Sequence, residues 1–530
     1  MKINKYKSQK KTTSISVLLG VLFLSTSLLA EKGFHLIGTM IRLNDGDRYM
    51  EVQGIGDINA DGYKDFAIGA SWETNAIGYA DIYLGGPIID TIPDYHLTVE
   101  DSWGFGSSIT SGDFNADGFS DLVVADYCYS NYEYLAGRVF IYWGGADFDT
   151  IPDLIIECHG YMFMFGREVK NGGDVNGNGV DDLLISAPAQ YTTRGYVIIC
   201  YGGTNMDAEI DVILEGGMWD LIGDAICGIG DINADGYDDM LIGTHYQDAT
   251  ETYGRAYLMY GGSSIGTYFD TIYESDTTNY SFGSYVGNLG DITGDTISEY
   301  AISSPTQIRI YSGRNIKNIS TLNKGELICN FASICNPVDI NNDSINDVII
   351  GMVGWQGNNL GAFVYLGGAD FDSIPDYVIQ GEKYEDGLGY TIASIGDINN
   401  DGQQELLIGG MSSNERGIVC LYTFGEWQGI NETTKTATQE FKLCQNYPNP
   451  FNPKTTISFD LPEEARVEIV VYDLMGREIW KSTRTSYPAG THSLVWNGTN
   501  KSGQPVGTGV YLVRLNSPKY SATQKVLLIK

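Results

Sequence analysis

One nine-residue phrase rich in oxygen-bearing side chains recurs seven times in this chain. It reads DINADGYKD from Asp57, DFNADGFSD from Asp113, DVNGNGVDD from Asp174 and DINADGYDD from Asp231. It continues as DITGDTISE from Asp291, DINNDSIND from Asp339 and DINNDGQQE from Asp397. Oxygen side chains stand at positions one, three, five and nine, with glycine usually at six. Alternate residues of a tight loop face one centre, glycine permits the sharp turn, and the seventh carbonyl adds another oxygen. Hard oxygen ligands in a flexible cage suit Ca²⁺. An EF-hand would need a bidentate Glu at position twelve and flanking helices. Position twelve here is Ile68, Val124, Ile185, Ile242, Ile302, Ile350 and Ile408, each within a short apolar run. The phrase therefore predicts a calcium loop of the β-hairpin kind, closed by the ninth-position carboxylate.

The candidate ligands are Asp57, Asn59, Asp61 and Asp65 in the first copy and Asp113, Asn115, Asp117 and Asp121 in the second. The third and fourth supply Asp174, Asn176, Asn178 and Asp182, then Asp231, Asn233, Asp235 and Asp239. The fifth supplies Asp291, Asp295 and Glu299, the sixth Asp339, Asn341, Asp343 and Asp347, and the seventh Asp397, Asn399, Asp401 and Glu405. Five copies keep every oxygen and the glycine. Thr296 and Ser344 replace the glycine in the other two, and Thr293 replaces the third-position Asn in one. Up to seven Ca²⁺ sites are expected. Asx-rich turns without metal are the alternative, since Asp, Asn and Gly favour turns anyway. Charge favours the metal: residues 31–445 hold 17 basic against 61 acidic residues, and clustered carboxylates repel unless a cation sits between them.

The copies begin 56, 61, 57, 60, 48 and 58 residues apart. After each phrase comes an apolar run ending in a small residue (Gly69, Ala125, Ser186, Gly243, Ser303, Gly351 and Gly409), as for a buried strand whose end lies against neighbouring backbone. A second strand with a Gly-Gly exit follows in several units, as in GRVFIYWGG from Gly137. A third strand often follows an Ile-Pro-Asp turn, and the strand before each phrase completes four. Four short strands per unit, seven times over, predict an all-β fold, a seven-bladed β-propeller. A solenoid is the alternative, but its repeats are usually shorter. The last unit ends near Phe424 after its third strand. Residues 34–38 (FHLIG) are expected to supply its missing outer strand and so remove an exposed edge.

Residues 1–30 read as a signal peptide: five lysines precede an apolar run from Ile15 to Ala30 with small residues near its end. The formal net charge of −35 argues against nucleic acid or anionic lipid as partner. The eight cysteines form no CxxC and the five histidines do not cluster, so neither a zinc site nor a Cys/His nucleophile has support. Several cysteines fall in expected strands and read as buried thiols.

The units resemble FG-GAP repeats, the units of the integrin alpha-chain propeller, over residues 34–424. The naming pairs stand as Phe105–Gly106, Phe165–Gly166 and Phe282–Gly283, with ISAP from Ile185 and IGAS from Ile68. The resemblance implies a seven-bladed propeller, Ca²⁺ in hairpin loops on one face and ligand contacts on the other. It fixes no ligand.

Residues 31–424 are thus expected to be the propeller and the polar stretch 425–445 a linker. From residue 446 there are 10 basic and 6 acidic residues, a change of sign that marks a separate module. Strand-like runs at 455–461, 466–472, 477–481, 492–496, 510–515 and 525–529, separated by turn signals, predict a small immunoglobulin-like β-sandwich over 446–530. This tail resembles the C-terminal sorting domain of type IX secretion cargo. The matching stretches are NYPNPFNP from Asn446, VYDLMGREI from Val471, GTHSLVWNGTNKSGQPVGTGVYLVRL from Gly490 and the terminal Lys525–Lys530. The resemblance implies the type IX secretion machinery as a partner and a secreted or outer-membrane surface location.

Strand alternation puts the seven phrases on one face of the propeller. The opposite connections carry Trp72, Trp103, Trp219 and Trp355, together with several tyrosines and the acids Asp101, Asp126, Asp220 and Glu251. Exposed aromatics with nearby acids suit sugar rings and their hydroxyls. The expected function is calcium-stabilised surface binding or adhesion by a monomer, with a glycan or glycoprotein as ligand. No nucleophile–base pair stands out, so catalysis is not expected. The alternatives are a polysaccharide-acting glycosidase or lyase, whose acids need not be close in sequence, and a purely structural surface protein.

Overall fold

The computed structural model describes residues 4–5, 32–41, 49–71, 77–87, 89, 91–100, 102–129, 136–158, 163–188, 194–217, 221–244, 254–274, 281–304, 306–323, 329–354, 361–380, 388–411, 417–426, 441–443, 454–462, 465–473, 475–487, 490–502 and 504–528. The chain divides into two compact units, Met1–Glu426 and Trp427–Lys530.

Among the described residues, the first unit is built of seven successive antiparallel sheets. Sheet 1 comprises Tyr49–Gly56, Asp65–Ser71, Tyr79–Tyr83 and Tyr95–Thr98. Sheet 2 comprises Phe105–Gly112, Asp121–Asp126, Arg138–Tyr142 and Leu154–Glu157, and sheet 3 Val169–Gly173, Asp182–Ala187, Tyr196–Cys200 and Val212–Glu215. Sheet 4 comprises Ala225–Gly230, Asp239–Thr244, Arg255–Met259 and Thr271–Glu274, and sheet 5 Val286–Gly290, Glu299–Ser304, Gln307–Ser312 and Asn318–Asn323. Sheet 6 comprises Cys329–Ile334, Val348–Gly354, Ala362–Tyr365 and Tyr377–Ile379, with Asn4–Lys5 paired to its outer edge. Sheet 7 comprises Thr391–Gly396, Glu405–Met411, Gly417–Glu426 and, outermost, Lys32–Ile41. The arrangement fits a propeller.

The N-terminal strand completes sheet 7 in the way its sequence predicts, with Phe34 opposite Phe424 and Leu36 opposite Tyr422. It runs longer than the five residues of FHLIG, and its register shifts between Leu36 and Gly38. Phe34 is fully buried, its ring 4.9 Å from Phe424 and 6.0 Å from Tyr377 of sheet 6.

First strands lie side by side: Tyr49–Gly56 against Phe105–Gly112, that against Val169–Gly173, and so on to Ala225–Gly230 and Val286–Gly290. Cys329–Ile334 lies against Thr391–Gly396, which lies against Tyr49–Gly56. Sheets 5 and 6 join where the Asn346 N–H donates to the Asp291 carbonyl at 2.9 Å.

The Gly-Gly exits have a packing reason. A Cβ on Gly144 would lie 2.0 Å from the Ser120 carbonyl oxygen, and one on Gly85 2.1 Å from that of Lys64. The second glycine then donates to a loop of the preceding sheet: Gly145 to Ile58, Gly203 to Phe114, Gly262 to Val175 and Gly368 to Ile292. Gly86 donates to Ile398 at 2.8 Å, which ties the first sheet to the last.

The Phe-Gly pairs do similar work. Phe105, Phe165 and Phe282 are buried, while the following glycines hold φ of 79° to 91°. The N–H groups of Gly166 and Gly283 donate to the carbonyl of the small residue near the end of the second strand in their own sheets, Ser186 at 2.9 Å and Ser303 at 2.7 Å. Ile222–Gly223 and Leu388–Gly389 play the same part in sheets 4 and 7, donating to Gly243 and Gly409. The Phe-Gly pattern misses them because another apolar side chain fills the Phe position.

In the second unit, Lys442–Leu443, Thr455–Leu461 and Gly490–Trp496 form one sheet. Glu478–Lys481, Ala465–Asp473, Gly509–Asn516 and Ser521–Leu528 form the other, with Thr485–Tyr487 paired to Ala465–Asp473. Both sheets contribute to one core that includes Ile457, Phe459, Ile469, Val471, Trp496 and Val513. Lys442–Leu443 falls inside the stretch read as linker: it pairs with Asp460 and Phe459, and Phe441 and Leu443 pack on that core. Two apolar residues in a polar stretch were too short a signal to show a strand.

Candidate calcium loops and channel site

All seven phrases adopt one backbone. The first-position Asp accepts from the N–H groups of positions five and six, for example Asp57 from Asp61 at 3.0 Å and Gly62 at 2.8 Å. The fifth-position side chain accepts from the seventh N–H, as Asp117 from Phe119 at 2.9 Å and Asn178 from Val180 at 2.8 Å. The ninth-position carboxylate turns inward and accepts from the N–H of position two: Asp65 from Ile58, Asp121 from Phe114, Asp182 from Val175 and Asp239 from Ile232. Glu299, Asp347 and Glu405 do the same with Ile292, Ile340 and Ile398. Position two is always apolar and buried, so it pins the loop to the core.

Position four is left-handed in every copy, at Ala60, Ala116, Gly177, Ala234, Gly294, Asn342 and Asn400, and so is position six. At position six a Cβ on Gly62, Gly118, Gly179, Gly236 or Gly402 would meet nothing within 4 Å. The glycine is needed for its conformation and not for space, which is why Thr296 (φ 72°) and Ser344 (φ 70°) can stand there under backbone strain. Thr296→Gly should therefore stabilise the protein by about 0.5–1 kcal/mol, the relief of a left-handed β-branched residue less the added chain entropy. Chemical denaturation checks this; a destabilised variant would contradict it.

The donor set suits a hard cation. Burial pushes the ninth-position carboxyl up to about 7 at Asp65, Asp121, Asp182, Asp239, Glu299 and Asp347, and to about 8 at Glu405. The first-position Asp, and the fifth where it is Asp, push the same way. Among the buried side-chain oxygens without a hydrogen-bond partner are two at candidate ligand positions, Glu299 Oε1 and Asn341 Oδ1. Among the described residues, no three Asp, Glu, His or Cys side chains already converge as a metal centre. The carboxylates are turned instead to the loop's own N–H groups. The residues fit Ca²⁺ in kind.

On the opposite connections, Trp103 is half exposed. Trp72, Trp219, Trp355, Asp101, Asp220 and Glu251 lie outside the described residues, as do residues 6–30 of the expected signal peptide. Asp126 is no exposed hydroxyl acceptor. It is fully buried and paired with Arg138 at 3.1 Å, because the guanidinium lies across it from the neighbouring strand. Cys200 and Cys335 are buried thiols, and burial pushes both up to about 12.

A second constellation was invisible in the sequence. Where the first strands meet, a cavity of about 460 Å³ is lined by residues of all seven sheets. Across it, Lys170 Nζ of sheet 3 reaches Glu51 of sheet 1 at 3.7 Å and lies 3.5 Å from Glu168, whose other oxygen accepts from Ile226 N–H of sheet 4. Burial raises both glutamates above the usual carboxylate range, against the opposing pull of Lys170. Lys170→Met leaves two carboxyls facing each other and should lower stability by about 1–3 kcal/mol at pH 8. Their raised folded values mean that protonation favours the fold, so the deficit relative to wild type should shrink toward pH 5. Thermal melts of both proteins across that range test it; a pH-independent deficit would contradict it.

Residues 105–142 and 165–200 match the FG-GAP repeat, and residues 448–520 match the FlgD Ig-like domain. Two of the seven units thus match the FG-GAP repeat. The chain is 26% identical to integrin alpha-5 of Xenopus laevis over 224 residues, covering 40% of this chain and 21% of that one. It is 32% identical to human integrin alpha-7 over 146 residues, 27% of this chain and 12% of that one. The chain thus spans about a fifth or less of the relatives it matches. A solved structure described as PorZ, an essential bacterial surface component of the type-IX secretion system of Porphyromonas gingivalis, overlays with a TM-score of 0.37 at 13% identity, covering 91% of this chain and 60% of that one. A likeness that loose carries no argument.

Proposed function

We propose that this protein is an exported, seven-bladed FG-GAP β-propeller that holds Ca²⁺ in its hairpin loops and binds a glycan or glycoprotein at the cell surface. The observation that carries the reading is the sevenfold loop: one backbone, a closely similar set of oxygen donors and one buried carboxylate, repeated at the same end of every sheet. The antiparallel strand order puts the second-to-third and fourth-to-first connections at the other end, where Trp103 stands half exposed. The integrin relatives support a surface role. A binding role, and not catalysis, is the reading adopted. A glycan and glycoprotein array probed with the exported chain, with calcium and with EGTA, tests it. Saturable, calcium-dependent binding is expected; an absence of binding to every spot would overturn it.

Residues 446–530 would direct export through the type IX secretion machinery. The support is the density of the motifs from NYPNPFNP onward, on a compact unit of its own. Removing Trp427–Lys530 should abolish surface delivery in the native host and leave the propeller folded inside the cell. Immunoblots of cell fractions check this, and truncated protein outside the cell in normal amount would contradict it.

A further inference from the structure

We infer that the mouth of the central cavity is a binding pocket for a neutral sugar, deepening the glycan-binding reading on which it rests. The pocket combines Arg167, Asp224, Tyr285 and Tyr390, and these four line both the 460 Å³ cavity and an adjoining one of about 390 Å³. All four immediately precede the first strands of sheets 3, 4, 5 and 7 or stand two residues before them, which places them at the end of the channel opposite the calcium loops. Beneath them the ionic cluster of Lys170, Glu51 and Glu168 crosses the channel and gives the pocket a floor. The volume suits a small ligand or the terminal residues of a longer one.

The chemistry selects the class. Tyr285 and Tyr390 keep more than a third of their surface exposed, at 37% and 41%, although they stand at the rim of a cavity. Half-exposed rings offer rigid apolar faces with a polar tip, which suit the C–H face of a pyranose. Arg167 is an exposed fork of donors, its guanidinium 5.3 Å above the Tyr127 ring. Asp224 and Glu168 supply acceptors close by. Donors and acceptors side by side match adjacent hydroxyls, each of which gives and takes a hydrogen bond. The three carboxylates of this pocket outnumber its two cations, and the unit around it is strongly acidic, so an anionic ligand is disfavoured. The polar floor disfavours a purely apolar one.

The test is titration of the full-length exported chain with maltotriose, cellotriose, mannotriose and N-acetylchitotriose, and with trigalacturonate as the anionic control, read by saturation-transfer NMR. At least one neutral trisaccharide should bind. Arg167→Ala, and Tyr285→Ala with Tyr390→Ala, should each weaken it at least tenfold at an unchanged melt. The Tyr→Phe pair should retain most of it, because the stacking faces remain. Tyr268→Ala, an 88% exposed tyrosine between the third and fourth strands of sheet 4, should bind like wild type. Equal affinity in wild type and all channel variants, or loss confined to Trp103→Ala, would overturn the pocket while leaving glycan recognition by this face standing. Binding of trigalacturonate alone, or of none of the five, would overturn the neutral-sugar assignment, and the glycoprotein spots of the array would then decide the broader reading separately.

Discussion

EGTA should lower the melting midpoint of this protein by about 10 °C or more relative to millimolar calcium. Each loop that binds only when folded adds about 2.7 kcal/mol at a hundredfold excess over its dissociation constant, and five to seven loops act together. The cation also relieves a specific cost. Each ninth-position carboxyl is buried beside the first-position Asp and is held near 7 or 8 without a counter-ion. The direction with pH follows. A carboxyl whose folded value lies above its unfolded one stabilises the fold when protonated, and that contribution is lost as pH rises through about 7. In EGTA the midpoint should therefore rise from pH 8 to pH 6, whereas in calcium the gain should vanish or reverse because protons compete with the metal. Asp231→Ala should remove one site and a matching fraction of the calcium effect; it also removes the acceptor of the Asp235 and Gly236 N–H groups, so its midpoint should be lower in EGTA as well. An identical midpoint with and without EGTA would contradict filled loops.

Deleting residues 32–41 should be the most damaging change to the fold. It removes the outer strand of sheet 7 along its whole paired length and exposes the edge of Gly417–Glu426. It also empties the Phe34 site, packed on Phe424 and on Tyr377 of the neighbouring sheet. Phe34→Ala alone should cost about 3–5 kcal/mol, the usual range for a fully buried Phe. The deletion variant should aggregate, and the point variant should stay soluble with a lower denaturation midpoint. A monomeric deletion variant with a wild-type melt would show that the strand is dispensable.

How much was legible follows from where each signal lies. The loops are local: nine consecutive residues determine their own hydrogen bonds, so Asp57 to Asp65 can be read without the rest of the chain. The tail strands were legible for the same reason, Thr455–Leu461 to the residue, because alternation and turn chemistry are short-range. The closing strand was legible only because the repeats count out an incomplete last unit. The channel cluster was not. Glu51 and Lys170 stand on different sheets, more than a hundred residues apart, and no pattern near either marks the meeting. The two-residue strand Lys442–Leu443 and the three-residue strand Thr485–Tyr487 were too short to carry a period.

The sevenfold loop as a calcium site is tested most directly by counting. Equilibrium dialysis of the chelator-stripped protein against radioactive calcium at physiological ionic strength should give at least five equivalents per chain. It should give one fewer after Asp231→Ala. Fewer than one equivalent, with the protein folded throughout, would contradict the assignment.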